Sequence, residues 1–173
     1  HDRFGTAVIT TPAGVSADLA GARRETYRAI AALPDVFPGD LADDFMRRDV
    51  TINSMAIGLD GVRRVALRDD LGGWRDLSAG VVRVHHTLSI VEDPTRALRI
   101  ARLSGRLGFS LAAETLVSLR LADRVSALDR LGGERLRREF DRIEGEASPA
   151  AALDAMARMG ILNRLVSGVS WDR

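Results

Sequence analysis

The sequence predicts an α+β fold, with a mixed half over residues 1–88 and an all-helical half over residues 89–173. Three observations carry this. Short apolar runs bounded by Gly, Pro and Asp are confined to the first half, and after Asp93 the apolar residues recur at helical spacing. Hydrophobic residues make up 46% of the chain and aromatics only 5%, so the core must be aliphatic. Leu, Ala and Arg dominate the second half, a composition that favours helix.

The elements follow in order. "RFGTAVI" (3–9) and "VSADL" (15–19) read as strands joined across the turn signal "TTPAG". Pro34 and Pro38 break the pattern from "GARRETY" to "FPGDLADD", which reads as a loop with at most a short helix. "DVTINSMAI", apolar at Val50, Ile52, Met55 and Ala56, reads as a buried helix. "VRRVAL" and "GVVRVHH" read as strands on either side of "RDDLGGWRDLSAG", a turn-rich connector anchored by Trp74. Residues 93–107, 113–128, 133–145 and 149–159 each fit a helix, with Gly or Ser-Pro between them.

Composition excludes several classes of function. The chain has no cysteine, which rules out disulfides and thiolate metal sites and suits a reducing compartment such as the cytoplasm. No apolar run approaches the roughly 20 residues that span a bilayer, so no membrane role is expected. The chain starts at His1 rather than Met, as a fragment would. Net charge is +1, yet all 25 basic residues are arginine. A GC-rich genome explains that bias; arginine forks also suit phosphates and base edges, and both statements hold together.

The stretch "SIVEDPTRALRIARLSGRLGF" (89–109) carries the most chemistry. Arg96 projects at nearly the same angle as Ile100, Leu103 and Leu107, with Asp93 one turn before it. Asp93-Pro94 is a good helix start, so in the simplest reading Asp93 only caps and the stem of Arg96 only covers apolar surface. The helix, however, is apolar on both sides and so is buried on both sides. Arginines there need partners, which a cleft receiving a polyanion would supply. Asp and Arg together can also read a base: the carboxylate accepts from the exocyclic amino group of cytosine or adenine and the guanidinium donates to the ring nitrogen. Guanine and uracil present the opposite order.

Two further groups stand out. In "RRDVTIN", Arg48 and helix-start N–H groups could hold phosphate, and Asp49 could accept from a ribose hydroxyl; a capping Asp beside solvated arginines is the simpler alternative. Asp18 alternates with Ala17 and Leu19 on a strand, where a carboxylate can support Mg²⁺ but more often faces solvent. The three histidines lack metal-ligand spacing, and there is no Ser-His-Asp order, P-loop or GxGxxG.

Together "RFGTAVI", "ADLAGARRETY", "RRDVTINSMAI", "DDLGGWRDL" and "VEDPTRALRIARLSGRLGF", followed by "GERLRREF" and "ALDAMARMGIL", resemble the bacterial-type (class II) tRNA nucleotidyltransferase and poly(A) polymerase family, the CCA-adding enzymes. The resemblance implies the remainder of a polymerase-β-like nucleotidyltransferase head over residues 1–88 and a helical neck, for nucleotide selection and RNA binding, over 89–173. It implies addition of C and/or A from CTP and ATP to the tRNA 3′ end without a nucleic-acid template, with Mg²⁺ as cofactor. Arg48 would contact the triphosphate and Asp49 the ribose 2′-OH, with Asn53 beside them. Asp93 and Arg96 would select the base, and Arg99 and Arg102 would help hold the nucleotide. Val50, Asp69-Asp70 and Ile90-Val91 depart from the family pattern as packing changes. The family's Gly-Gly loop and Asp-x-Asp metal pair are expected upstream of His1, leaving Asp18 only a supporting carboxylate. The chain alone is therefore expected to be inactive and to need that segment or a complementing chain. A poly(A) polymerase, or a non-catalytic RNA- or nucleotide-binding module, are the alternative readings.

Overall fold

The computed structural model describes residues 6–59 and 66–166. The first hairpin lies close to where the turn signal places it. Strand β1 (Thr6–Thr10) pairs antiparallel with β2 (Ser16–Ala20), with Val8 in register with Asp18. The turn closes through the Thr11 N–H to the Val15 carbonyl at 2.8 Å. Residues 3–5 of the expected first strand lie outside the described residues.

Residues 21–46 hold more structure than the sequence suggests. Strands β3 (Arg23–Thr26) and β4 (Asp35–Pro38) form a second antiparallel hairpin, and helix α1 (Leu41–Met46) follows. "RRET" and "DVFP" lack alternating apolar residues, so the ladder is invisible to a periodicity reading. A reciprocal capping box starts α1: the Asp40 carboxylate accepts the Asp43 N–H at 2.9 Å, and the Asp43 carboxylate accepts the Asp40 N–H at 3.2 Å.

The helix expected over "DVTINSMAI" does not form. A single 3₁₀ turn (Thr51–Asn53) follows Val50, after which β5 (Ala56–Ile57) pairs with β6 (Leu67–Arg68). Three consecutive β-branched residues, Val50 to Ile52, disfavour helix. The Ser54 hydroxyl lies 3.2 and 3.0 Å from the carbonyls of Phe45 and Val50, holding the turn closed. The segment is buried as expected: Val50, Thr51, Ile52 and Ser54 all lie in the interior. Residues 60–65, which include most of "VRRVAL", lie outside the described residues.

The connector "RDDLGGWRDLSAG" contains a helix, α2 (Gly73–Ala79). The Asp69 carboxylate accepts the N–H groups of Gly73 and Trp74 at 2.6 and 2.9 Å, satisfying donors at the helix start. Trp74 is not the anchor expected of it, being 59% exposed. Gly73 and Asp76, one turn apart, form the inward face instead. A Cβ on Gly73 would stand 2.4 Å from the Thr51 carbonyl oxygen, so only glycine allows α2 to approach the 3₁₀ turn. Asp76 reinforces the contact by accepting from the Thr51 hydroxyl at 2.8 Å.

The strand expected over "GVVRVHH" shortens to β7 (Val81–Val82), parallel to β8 (Ser110–Leu111). Beyond it a side chain replaces the ladder: the Thr115 hydroxyl donates to the Val82 carbonyl at 2.9 Å and accepts the Val84 N–H at 3.1 Å. Helices α3 (Ser89–Glu92), α4 (Thr95–Leu107), α5 (Ala113–Arg124), α6 (Gly133–Glu144), α7 (Pro149–Arg158) and α8 (Ile161–Leu165) build the rest, with a 3₁₀ turn at Leu128–Arg130. Helix α4 is the core element, buried around its circumference at Ala97, Leu98, Ile100 and Ala101. It packs on α7, where a Cβ on Gly105 would lie 2.6 Å from the Ala151 and Ala152 backbone. No helix among the described residues is long and apolar enough to cross a membrane.

Candidate functional site

A cavity of about 450 Å³ lies between the β3–α1 region and the start of α4. It is lined by Arg23, Glu25, Tyr27, Arg47, Arg48, Asp49, Asn53, Asp93, Arg96 and Arg99. Five arginines stand against three carboxylates, so the lining carries net positive charge and favours an anion. Of the residues singled out from sequence, Arg48, Asp49, Asn53, Asp93, Arg96 and Arg99 come together here. Arg102 and Asp18 do not. Arg102 points its guanidinium to Glu146, at 2.6 Å. Asp18 is exposed on β2, and no group of three His, Cys, Asp or Glu side chains among the described residues is arranged to hold a metal.

Helix α1 delivers the arginines. Buried Asp44 clamps both: Arg47 donates Nε and Nη2 to Oδ1 at 2.8 and 2.5 Å, and Arg48 donates Nε and Nη2 to Oδ2 at 3.1 and 2.8 Å. Burial alone would raise the Asp44 carboxyl, but the hydrogen bonds from Arg48 and Arg47 outweigh it and hold it below the usual carboxylate range. Arg48 also donates Nη1 to the Asn53 carbonyl at 2.6 Å, which leaves one hydrogen on each terminal nitrogen for a ligand.

Asp49 is buried at the end of this segment. Its Oδ1 accepts the Val50 N–H and the Asn53 amide, both at 3.0 Å, and its Oδ2 pairs with Arg99 at 2.9 Å. Burial pushes its carboxyl up; the Arg99 charge and the Asn53 and backbone hydrogen bonds win, so it is held low and ionised. Oδ2 keeps a lone pair for a further donor.

The opening of α4 supplies the third group. Asp93 Oδ1 accepts the Thr95 N–H at 3.1 Å, the Thr95 hydroxyl at 2.7 Å and Arg135 Nη2 at 2.5 Å. It therefore satisfies the N–H of the first helical residue, and it also does more. Arg96 is 3% exposed and packs with its guanidinium 5.8 Å from the centre of the Tyr27 ring. It donates to the Ser89 hydroxyl at 2.7 Å, the Arg47 carbonyl at 2.8 Å, and the Ser89 carbonyl and Tyr27 hydroxyl at 3.4 Å. None of these partners is ionised, and among the described residues no carboxylate pairs with Arg96. A buried cation held by neutral groups alone is an incomplete arrangement. The two long contacts and the Nε–H are the donors for which a ligand would compete.

Several of these residues were not foreseen. Glu25 gathers Arg23 at 3.0 Å, the Tyr27 hydroxyl at 3.2 Å and Arg47 at 3.7 Å. Burial, opposed by Arg96 and helped by Asp93 and Glu25, pushes the Tyr27 phenol up to about 12, so it remains a neutral donor. "RRETY" places Arg23 and Glu25 on alternate positions of β3 and Tyr27 just past its end, a signal that depends on recognising that strand. Asp44 and Ser89 support the arginines from positions with no local signature.

His85 lies nearby, its Nε2 2.9 Å from the Ser54 hydroxyl. Burial pushes its imidazole down to about 4, and the Arg96 charge acts in the same direction. Its folded pKa is below the ordinary 6.5, so its contribution to stability is complete above about pH 6.5 and is lost as pH falls toward 4. Urea midpoints should decline across that window, and His85→Gln should flatten the decline. Equal slopes in both proteins would contradict a buried neutral His85.

Residues 1–83 match the poly A polymerase head domain. Those residues belong to the head-domain family, and nearly the whole chain is similar to tRNA nucleotidyltransferases. More particularly, it is 42% identical over 162 residues to an A-adding tRNA nucleotidyltransferase of Geobacter sulfurreducens, covering 94% of this chain and 18% of that protein. A solved CCA-adding enzyme in an apo form superposes with a TM-score of 0.91 at 38% identity, over 99% of this chain and 41% of that one. A tRNA nucleotidyltransferase complexed with a primer tRNA and an incoming ATP analog superposes with a TM-score of 0.84 at 32% identity, over 99% and 47%. The chain thus spans less than half the length of these proteins.

Proposed function

We propose that this chain is the nucleotide-selecting part of a tRNA nucleotidyltransferase that adds C and/or A from CTP and ATP to the tRNA 3′ end. Residues 1–88 act as the head portion and 89–173 as the helical neck, in the cytoplasm. The observation that carries the reading is the placement of Asp93 and Arg96 on one cavity wall, with no hydrogen bond between their side chains. Arg48 holds the triphosphate with its remaining N–H groups. Asp49 accepts from the ribose 2′-hydroxyl through Oδ2. Asp93 accepts from the base amino group and Arg96 donates to the ring nitrogen, so G and U meet acceptor against acceptor and donor against donor.

Arg99 keeps Asp49 ionised and Arg102 fixes α4 through Glu146, so their help is indirect. Mg²⁺ is expected from the family, but the described residues do not form a site that fits it. The likeness to a complex with primer tRNA supports tRNA as the second partner. A poly(A) polymerase would share the C/A-type wall but accept ATP alone; a binding module would bind without extending RNA. Equilibrium binding of the four nucleotides to the chain tests the reading, with CTP and ATP expected roughly tenfold or more tighter than GTP and UTP. Equal affinity for all four would overturn it.

A further inference from the structure

We infer that Arg135 is a positioning residue for base selection. This rests on the reading that Asp93 and Arg96 read the base, and extends it to a residue on another helix. Arg135, in the first turn of α6, donates Nη2 to Asp93 Oδ1 at 2.5 Å and Nη1 to the Ala31 carbonyl at 2.8 Å. Its side chain is 23% exposed and that of Asp93 15%, so the pair is largely shielded from water.

The consequence lies in how the two carboxylate oxygens of Asp93 differ. Oδ1 receives all the described donors, from Thr95 and Arg135, and is saturated. The terminal torsion of an aspartate is otherwise broad. Pinning Oδ1 from two directions fixes that torsion and leaves Oδ2 as the acceptor facing the cavity. Arg135 also gives Asp93 a cation other than Arg96. Asp93 and Arg96 are three residues apart, and among the described residues no carboxylate pairs with Arg96. Without Arg135 they would be drawn into a mutual ion pair that uses up both reading groups.

The second arm of the fork reaches the connection between β3 and β4. Ala31 has φ +61°, a left-handed conformation that costs a non-glycine residue stability. Arg135 holds its carbonyl, so the same guanidinium that aims Asp93 also seats the loop following Tyr27, whose ring covers Arg96. Lysine cannot do both, because an ammonium lacks the planar fork.

The test is binding and incorporation of all four nucleotides by the full-length protein carrying Arg135→Ala, Arg135→Lys or Asp93→Asn. Arg135→Ala is expected to lower the preference for C and A over G and U roughly tenfold, mainly by weakening C and A. Arg135→Lys should recover part of that preference. A folded Arg135→Ala with the wild-type ranking, beside an Asp93→Asn that changes it, overturns the role of Arg135 and leaves the base-reading proposal standing. If neither changes the ranking, both are wrong. Should Arg135→Ala not fold, Arg135→Gln reads the same ratio, and a wild-type ranking there is equally fatal.

Discussion

Replacing Arg96 with Ala in the full-length enzyme is expected to lower kcat/KM for CTP and ATP by roughly one to two orders of magnitude. A hydrogen bond involving a charged group contributes about 1.5–3 kcal/mol, and each 1.36 kcal/mol is about tenfold in rate. Discrimination against GTP and UTP should fall as well, because rejection depends on leaving polar groups unpaired. Arg96 is 3% exposed and bonds the Ser89 hydroxyl and the Arg47 carbonyl, so the variant also strands buried acceptors. Stability should drop by about 1–3 kcal/mol. Loss of stability with an unchanged nucleotide ranking would mean that Arg96 is structural cement between α3, α4 and the segment after α1.

The next largest effect is expected at the ribose. If Asp49 binds the ribose as proposed, Asp49→Ala should lower use of CTP and ATP roughly tenfold or more while narrowing the preference over their 2′-deoxy forms, since the 2′-hydroxyl loses its carboxylate acceptor. Asp49 also neutralises Arg99 and accepts from Asn53, at 2.9 and 3.0 Å. Removing it therefore disturbs the wall even without a nucleotide. The ribo/deoxy ratio of kcat/KM separates the two effects, because disorder of Arg99 weakens both sugars alike. An unchanged ratio would assign Asp49 to holding the wall only.

Much of the site was legible in the sequence because its chemistry is local. Asp93 and Arg96 announce themselves as charges among residues that must be buried, and Asp93 as a helix start. The long helices follow from 3.6-residue periodicity, and α4, apolar on two sides, is the core as that pattern requires. What was not legible depends on contacts distant in sequence. The β3–β4 hairpin has no alternating apolar face, so Glu25 and Tyr27 could not be placed. The 3₁₀ turn after Val50 owes its end to a Ser54 hydroxyl that competes with helix, and α2 is held by a glycine contact rather than by Trp74. Arg102, which the resemblance sets beside Arg99, turns to a different partner. Glu146, far along the chain, claims it.

The structure also sharpens what Asp93 can show. Asparagine caps a helix about as well as aspartate, so a pure cap predicts a near-neutral Asp93→Asn. The ion pair to Arg135 means that this variant will lose some stability regardless, so stability alone decides nothing. Nucleotide ranking does. The decisive measurement is the affinity of wild type and Asp93→Asn for CTP, ATP, GTP and UTP under one set of conditions. If Asp93 accepts from the base, wild type prefers C and A, and the asparagine amide, able to turn a donor toward a carbonyl, shifts the ranking toward G or U. A folded Asp93→Asn protein with the wild-type order of affinities would contradict base reading by this wall.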